Sequence, residues 1–268
     1  MRAAAEQALT RIPGWEGASL SELAGGLTNR SWLVEKTGRR AVLKVDAEPR
    51  SPPFSERALE RRIQTAAAES GIANAVLYAD ERCYLTEYVE GTVWQRDFLL
   101  TDQNLSMLAG CLRTLHSLPL SGRRFDAEEA ARNYVKNIDA KQSARAQHCV
   151  DVIRKFRTPQ KLCCCHNDLV AGNMITVRGL RLLDWEYACD NDPMFDLAIV
   201  TAHHELGEDR TRYFLDAYFE GDGERGFEKL TQQAELYNAL TWLWYASRPD
   251  ADAEQLESFA ARLEGQDG

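Results

Sequence analysis

The chain has 268 residues, 44% apolar and 27% charged, with a formal net charge of −9 at pH 7. That apolar share fills one large core or two lobes and excludes global disorder. The acidic balance excludes a nucleic-acid binder, which needs a concentrated basic surface. No run approaches the roughly 18 apolar residues of a membrane span, and the opening MRAAAEQALTRIPGW lacks the apolar centre of a secretory signal. A cytoplasmic chain without a membrane partner is therefore expected.

In chain order, Ala18 to Asp46 reads as strand, glycine turn, strand, tight turn, strand, with Thr37 and Gly38 suited to a hairpin. Pro52 and Pro53 stop extended structure. The segment SERALERRIQTAAAES then predicts one helix with Ala58, Ile63, Ala66 and Ala67 on its packed side and Gly71 as its C-terminal cap. Two more strands surround a turn at Asp80 and Glu81, and Gly91 marks the exit from this lobe. Next, TDQNLSMLAGCLRTLHSL begins at Thr101 or Asp102 as an N-cap and repeats leucine at helical spacing. The segment from Asp126 to Phe156 is mostly helical in pattern. Two short strands flank HNDLVAG, a third ends in LLDWE, and from Phe195 onward the pattern is helical again. Seven cysteines, three of them consecutive at 163–165, make no disulfide framework, because strand neighbours point to opposite faces. They read as reduced thiols on a buried strand rather than as a redox motif.

The chemistry concentrates in CCCHNDLVAGNMI. Asp168 stands five residues before Asn173, and the following strand delivers Asp184 to its end. Two carboxylates and an amide brought together suit Mg²⁺, which takes a few protein oxygens alongside phosphate and water. One carboxylate kept off the metal can orient a substrate hydroxyl as a base, since phosphoryl transfer needs positioning and charge neutralisation above all. Asp168 is the choice for that role. His203 and His204 carry no metal reading, because adjacent helix positions diverge and no third ligand has suitable spacing.

The histidine-x-aspartate spacing with asparagine and a later strand aspartate resembles the protein-kinase catalytic loop. More specifically, CHNDLVAGNMI and LLDWEYACDNDPMFDLA resemble the aminoglycoside phosphotransferase and choline kinase superfamily. The resemblance covers nearly the whole chain. It implies an α+β, protein-kinase-like, two-lobed fold, with a small antiparallel-sheet N-lobe over residues 1–90 and a mainly helical C-lobe over 91–268. It also implies ATP and Mg²⁺ as cofactors, Asp168 as the catalytic aspartate, and Asn173 and Asp184 as catalytic metal ligands. His166 is then structural, and Asp196 braces the loop by accepting backbone hydrogen bonds.

In the N-lobe, AVLK resembles the alanine-x-x-lysine strand of kinases, so Lys44 should contact the phosphates and pair with a helix carboxylate. Glu60 is the candidate partner, with Glu56 one turn earlier as a competitor. GGLTNRS takes the place of the kinase glycine loop, with Gly25, Gly26, Thr28 and Asn29 toward phosphate. At the hinge, Glu87 and Val89 should present backbone groups to adenine. Trp185 and Glu186 replace the usual kinase triplet and no activation segment follows, which points to a small-molecule acceptor rather than a protein.

For that acceptor, DWEYA and the string Asp190, Asn191, Asp192 resemble choline, ethanolamine and thiamine kinases. Trp185, Glu186 and Asp190 join Asp168 as substrate-binding candidates. Trp242 and Tyr245, three apart, share a helix face, and aromatic rings near carboxylates can hold a quaternary ammonium. The same stripe also fits a core. The expected function is a kinase for a small, cationic, choline-, ethanolamine- or thiamine-like alcohol. An aminoglycoside or sugar phosphotransferase, a non-catalytic nucleotide-binding protein and a metal-dependent hydrolase are the alternatives.

Overall fold

The computed structural model describes residues 2–23, 31–46, 56–156, 159 and 161–264. Its chain divides into two compact units, one of Met1–Trp94 with Gly172–Ala188, the other of Gln95–Ala171 with Cys189–Gly268.

In the first unit, helix α1 (Arg2–Leu9) precedes strands β1 (Ser19–Leu23), β2 (Ser31–Lys36) and β3 (Arg39–Val45). Helix α2 (Arg57–Glu69), β4 (Val76–Ala79), β5 (Cys83–Glu87) and β6 (Thr92–Val93) follow. A five-stranded antiparallel sheet forms in the order β1-β2-β3-β5-β4. Alternation decides its faces: Trp32, Val34, Ala41, Leu43, Val45 and Leu85 point to one side and are buried with Ala5, Ala8 and Leu9 of α1. The sequence pattern assigns no element to residues 2–9, and α1 is what covers this face. Thr37 and Gly38 both adopt positive φ, 48° and 78°, as a tight hairpin between β2 and β3 requires.

The opposite face carries Lys44 and, across from it in register, Tyr84. Helix α2 reaches this face through Gln64, whose Oε1 accepts from the Tyr84 hydroxyl at 3.1 Å. Its buried stripe is Arg57, Leu59, Glu60, Ile63, Gln64 and Ala67, whereas Ala58 is exposed and Ala66 half-buried. The packed side is therefore rotated by about a residue from the expected one. The reason is that polar members of the stripe are paired: Arg57 bonds Asp46 at 2.8 Å and Glu60 at 2.7 Å, and Gln64 Nε2 donates to Asn74 O at 2.9 Å. Gly71, at φ 80°, closes the helix, and Ile72 N donates to Ala67 O.

The second unit begins with α3 (Asp102–His116), capped by Thr101, whose side chain accepts from Asn104 N. After α4 (Ala127–Val135) and α5 (Ser143–Lys155), strand β7 (Cys163–Cys165) is entirely buried, as the cysteine run implied. Residues 172–188 then belong to the first unit, where β8 (Met174–Thr176) and β9 (Leu180–Leu182) join β6 in a three-stranded sheet, order β6-β8-β9. A single division at residue 90 lies close to the first change of unit at Trp94 but does not provide for this segment. Gly91 is required there, because a Cβ would lie 2.4 Å from the Thr176 carbonyl oxygen.

Back in the second unit, β10 (Cys189–Asn191) pairs antiparallel with β7, Cys165 opposite Cys189 and Cys163 opposite Asn191. Helices α6 (Pro193–His203), α7 (Gly207–Phe219), α8 (Phe227–Ala246) and α9 (Ala253–Glu264) complete it. The 20-residue α8 packs against α4, α5, α6 and α9, and Leu236, Ala239, Leu240 and Leu243 are buried along it. Among the described residues, no helix is long and apolar enough to cross a membrane.

Candidate active site

The first unit brings Lys44 and Asp184 together. Lys44 stands on β3 on the side away from α1, and its Nζ lies 2.7 Å from Asp184 Oδ2. Both side chains keep partial access to solvent, 18% and 29%. Burial works against the Lys44 ammonium, but the charges of Asp184, Glu186 and Glu60 and the hydrogen bond to Asp184 outweigh it and raise its pKa above the ordinary lysine value. Glu60, the expected partner, therefore favours the charged lysine while its own Oε2 accepts from Arg57. The ion pair drawn by Lys44 itself is with Asp184.

Asp184 follows β9 with φ 62° and ψ 72°, in the left-handed region. Aspartate tolerates this better than most residues, yet a non-glycine there is uncommon and marks a position held by its surroundings. Asn173 is fixed beside it by pairing: Met174 is opposite Leu182, and Leu183 N donates to Asn173 O at 2.8 Å. Asn173 is thus across from the residue before Asp184. An amide oxygen and a carboxylate from adjoining strand ends form a hard donor set that fits Mg²⁺.

In the second unit the loop carrying Asp168 is pinned on both sides. Asp196, fully buried at the start of α6, accepts from His166 N at 2.9 Å and Asn167 N at 2.8 Å. That is the bracing role expected of it. Asn167, at φ 63°, also accepts from Asn191 Nδ2 at 2.9 Å, and His204 Nε2 donates to Leu169 O at 3.1 Å. His204 has its pKa pushed down to about 4 and His203 to about 3, chiefly by burial, so both are neutral near pH 7. With its neighbours held, Asp168 stays half-buried. Its charge adds to burial in raising the pKa values of Tyr237 and Tyr245, which locates both phenols in its surroundings.

Sequence reasoning missed two of the braces. His116, on α3, has Nε2 3.1 Å from Asp196 Oδ2, and His204 holds the loop carbonyl. His116 is a lone histidine on another helix and His204 caps the far end of α6, so nothing in the loop's spacing could announce either.

Three of the substrate candidates prove to be core. Trp185 is 0% exposed, with its indole N–H donated to Leu182 O at 3.1 Å, so no ring face is left for a ligand. Asp190 is 2% exposed and its two oxygens accept from Ser121 N and Gly122 N at 2.6 and 2.8 Å, capping a turn. Trp242 is 1% exposed on α8. By contrast, Glu186 and Tyr245 are half-buried, and Tyr245 stacks on Phe259 at 4.7 Å between centroids. On β5, Glu87 spends its backbone N–H on Ala75 O at 2.8 Å, while its carbonyl accepts from Asn74 Nδ2 at 3.3 Å and keeps one lone pair. Val89 is half-buried. Gly25, Gly26, Thr28 and Asn29 lie outside the described residues.

Comparison with known proteins gives three levels of likeness. A profile of the phosphotransferase enzyme family matches residues 19–232. Protein LicA of Haemophilus influenzae is 29% identical over 206 residues, spanning 72% of this chain and 61% of that protein. A thiamine kinase of Escherichia coli O17:K52:H18 is 28% identical over 221 residues, 81% of this chain and 73% of that one. Among solved structures, choline kinase LicA from Streptococcus pneumoniae superposes with a TM-score of 0.80 at 21% identity, covering 97% of this chain and 99% of that one. At that identity the likeness shows the fold, which is the kinase-like α+β fold expected from the sequence.

Proposed function

The chain belongs to the phosphotransferase enzyme family, and from that membership we propose that it is a small-molecule kinase. The γ-phosphoryl group of ATP goes to a hydroxyl of a choline-, ethanolamine- or thiamine-like acceptor. The observation that carries this reading is the 2.7 Å contact between Lys44 and Asp184. A strand lysine kept charged and a carboxylate held in a left-handed backbone are the pair that a triphosphate and its cation would engage.

Asn173 and Asp184 would hold Mg²⁺, which supplies charge neutralisation on the phosphate oxygens when bound. Lys44 binds and orients the phosphates, released from its contact with Asp184 by the incoming negative charge. Asp168 accepts the proton of the acceptor hydroxyl, whose oxygen bonds to the γ-phosphorus as the bond to the β–γ bridging oxygen breaks and ADP leaves. The loop braces, Asp196 and His204, keep Asp168 from relaxing away from that hydroxyl. Tyr245, part-exposed and within the influence of Asp168, offers a ring face and a nearby negative charge to a cationic head group.

An assay of ATP consumption with Mg²⁺ against choline, ethanolamine, thiamine, aminoglycosides and amino sugars, with mass detection of product, tests this. A phosphorylated choline-, ethanolamine- or thiamine-type product is expected. Phosphorylation confined to aminoglycosides or sugars would replace the acceptor class, and phosphate release without any acceptor product would replace the reaction.

A further inference from the structure

Directly behind the Asp168 loop, Cys163, Cys165 and His116 converge in a place that the proposed kinase chemistry does not use. Their ligand atoms all lie within 4.8 Å of one another. Cys163 and Cys165 point the same way from β7, as residues two apart on a strand must, and their sulfurs are 3.5 Å apart. Two sulfurs bound to one tetrahedral zinc at about 2.3 Å each stand about 3.8 Å apart. The dithiol is therefore close to the edge of a tetrahedral coordination shell.

His116 is set up as the third ligand. Asp196 already accepts two backbone N–H groups, and a carboxylate has only acceptors to offer, so the Nε2 of His116 at 3.1 Å is the donor. With Nε2 donating, Nδ1 is the nitrogen left to ligate a metal, and it lies 2.7 Å from the hydroxyl of Tyr218. A carboxylate on the far nitrogen is the usual orienting arrangement for a metal-bound histidine. Burial first, and then the proximity of Cys163 and Cys165, raise the pKa of Tyr218, which puts its hydroxyl on the dithiol side. All of these groups belong to one compact unit, and the two cysteines and the His116 side chain are buried, the latter 6% exposed.

We propose that Cys163, Cys165 and His116 form a binding site for a thiophilic divalent ion of the Zn²⁺ class, adjoining the catalytic loop. On binding, each thiol loses its proton to solvent as its sulfur bonds to the metal, and Nδ1 exchanges the Tyr218 hydroxyl for the ion. The fourth position is open to water or to the Tyr218 oxygen. Because Cys165 immediately precedes His166, an ion here anchors the strand from which the loop departs. Hard-oxygen ligands such as Asn173 and Asp184 would not compete for this ion's signature, which is sulfur.

Titration of the reduced full chain with Co²⁺ tests the site through its thiolate-to-metal charge-transfer band. One Co²⁺ per chain with that band is expected, lost in Cys163→Ser and kept in Cys164→Ser, whose side chain leaves the strand on the other side. Absence of the band in the native chain, or its persistence in Cys163→Ser, overturns the proposal. Should Cys163→Ser fail to fold by circular dichroism, X-ray absorption of the Zn²⁺-loaded native chain decides. Two sulfur neighbours support the site, and a shell of oxygen and nitrogen alone overturns it. Because the readout is spectroscopic, it stands or falls independently of whether the kinase reading is right.

Discussion

Among single residues, the groups proposed to act on substrate are distinct from the groups that hold them in place. Asp168→Ala should lower kcat by roughly 10²–10⁴-fold, the range for a general base, and leave nucleotide affinity nearly unchanged. Asp184→Ala should instead abolish Mg²⁺-dependent nucleotide binding, seen by calorimetry with and without the metal. Normal turnover in either variant would refute these two roles. The two kinds of aromatic residue separate in the same way. Tyr245→Ala should raise the KM for a cationic acceptor several-fold with little change in melting temperature, while Trp185→Ala, emptying a fully buried site, should cost about 3–5 kcal/mol of stability. Steady-state kinetics beside thermal melts distinguish them, and unchanged KM in Tyr245→Ala would remove it from the acceptor site. The proposed chemistry is suggested by the sequence because Asp168, Asn173 and Asp184 lie within 17 residues, 168–184. The fate of Trp242 is not legible, since helical periodicity says which residues share a face but not whether that face meets a ligand or a neighbouring helix.

Among elements, two junctions make the strongest demands. Gly91, just before β6, lies under the Thr176 carbonyl with no room for a methyl group. Gly91→Ala should therefore cost about 1–3 kcal/mol, visible as a lowered melting temperature, and an unchanged melt would contradict the tight approach. The end of α6 makes an electrostatic demand. His203 and His204 are held near pKa values of about 3 and 4, below the unfolded value near 6.5. In this range the unfolded chain binds protons that the folded chain refuses, so stability falls as pH drops below about 6.5. Each histidine contributes a slope of up to about 1.4 kcal/mol per pH unit. Melting temperatures from pH 7 to pH 5 should fall, and His203→Gln should flatten the fall. An identical slope in that variant would assign the acid sensitivity elsewhere. The strands β1, β2, β3 and β5 are readable from alternation, and α3 from its threonine cap and leucine spacing. Strand β10 is not, because Cys-Asp-Asn carries a carboxylate whose job is to cap the turn at Ser121 and Gly122, a partnership visible only after folding. Helix α1 escapes notice since it is short and owes its stability to the sheet face that it covers.

For the molecule as a whole, the two compact units divide the proposed labour. One carries Lys44, Asn173 and Asp184 for the nucleotide and cation, the other carries Asp168 and Tyr245 for the acceptor. The order of elements is legible in the chain, but the membership of residues 172–188 in the first unit is not, because local pattern gives strands without saying which sheet receives them. The pairing of β6 with β8 decides it, and that pairing joins residues more than 80 positions apart. A net charge of −9 fits the proposed cationic acceptor, although the Asp168 carboxylate near Tyr245 matters more than the distant field. The central claim is transfer of a phosphoryl group to an alcohol, as distinct from its loss to water. Phosphorus NMR of the native chain with ATP, Mg²⁺ and the panel of cationic alcohols observes both fates in one sample. A phosphomonoester resonance growing in step with ADP is the result predicted; ADP and inorganic phosphate alone, with no ester from any acceptor, would contradict it.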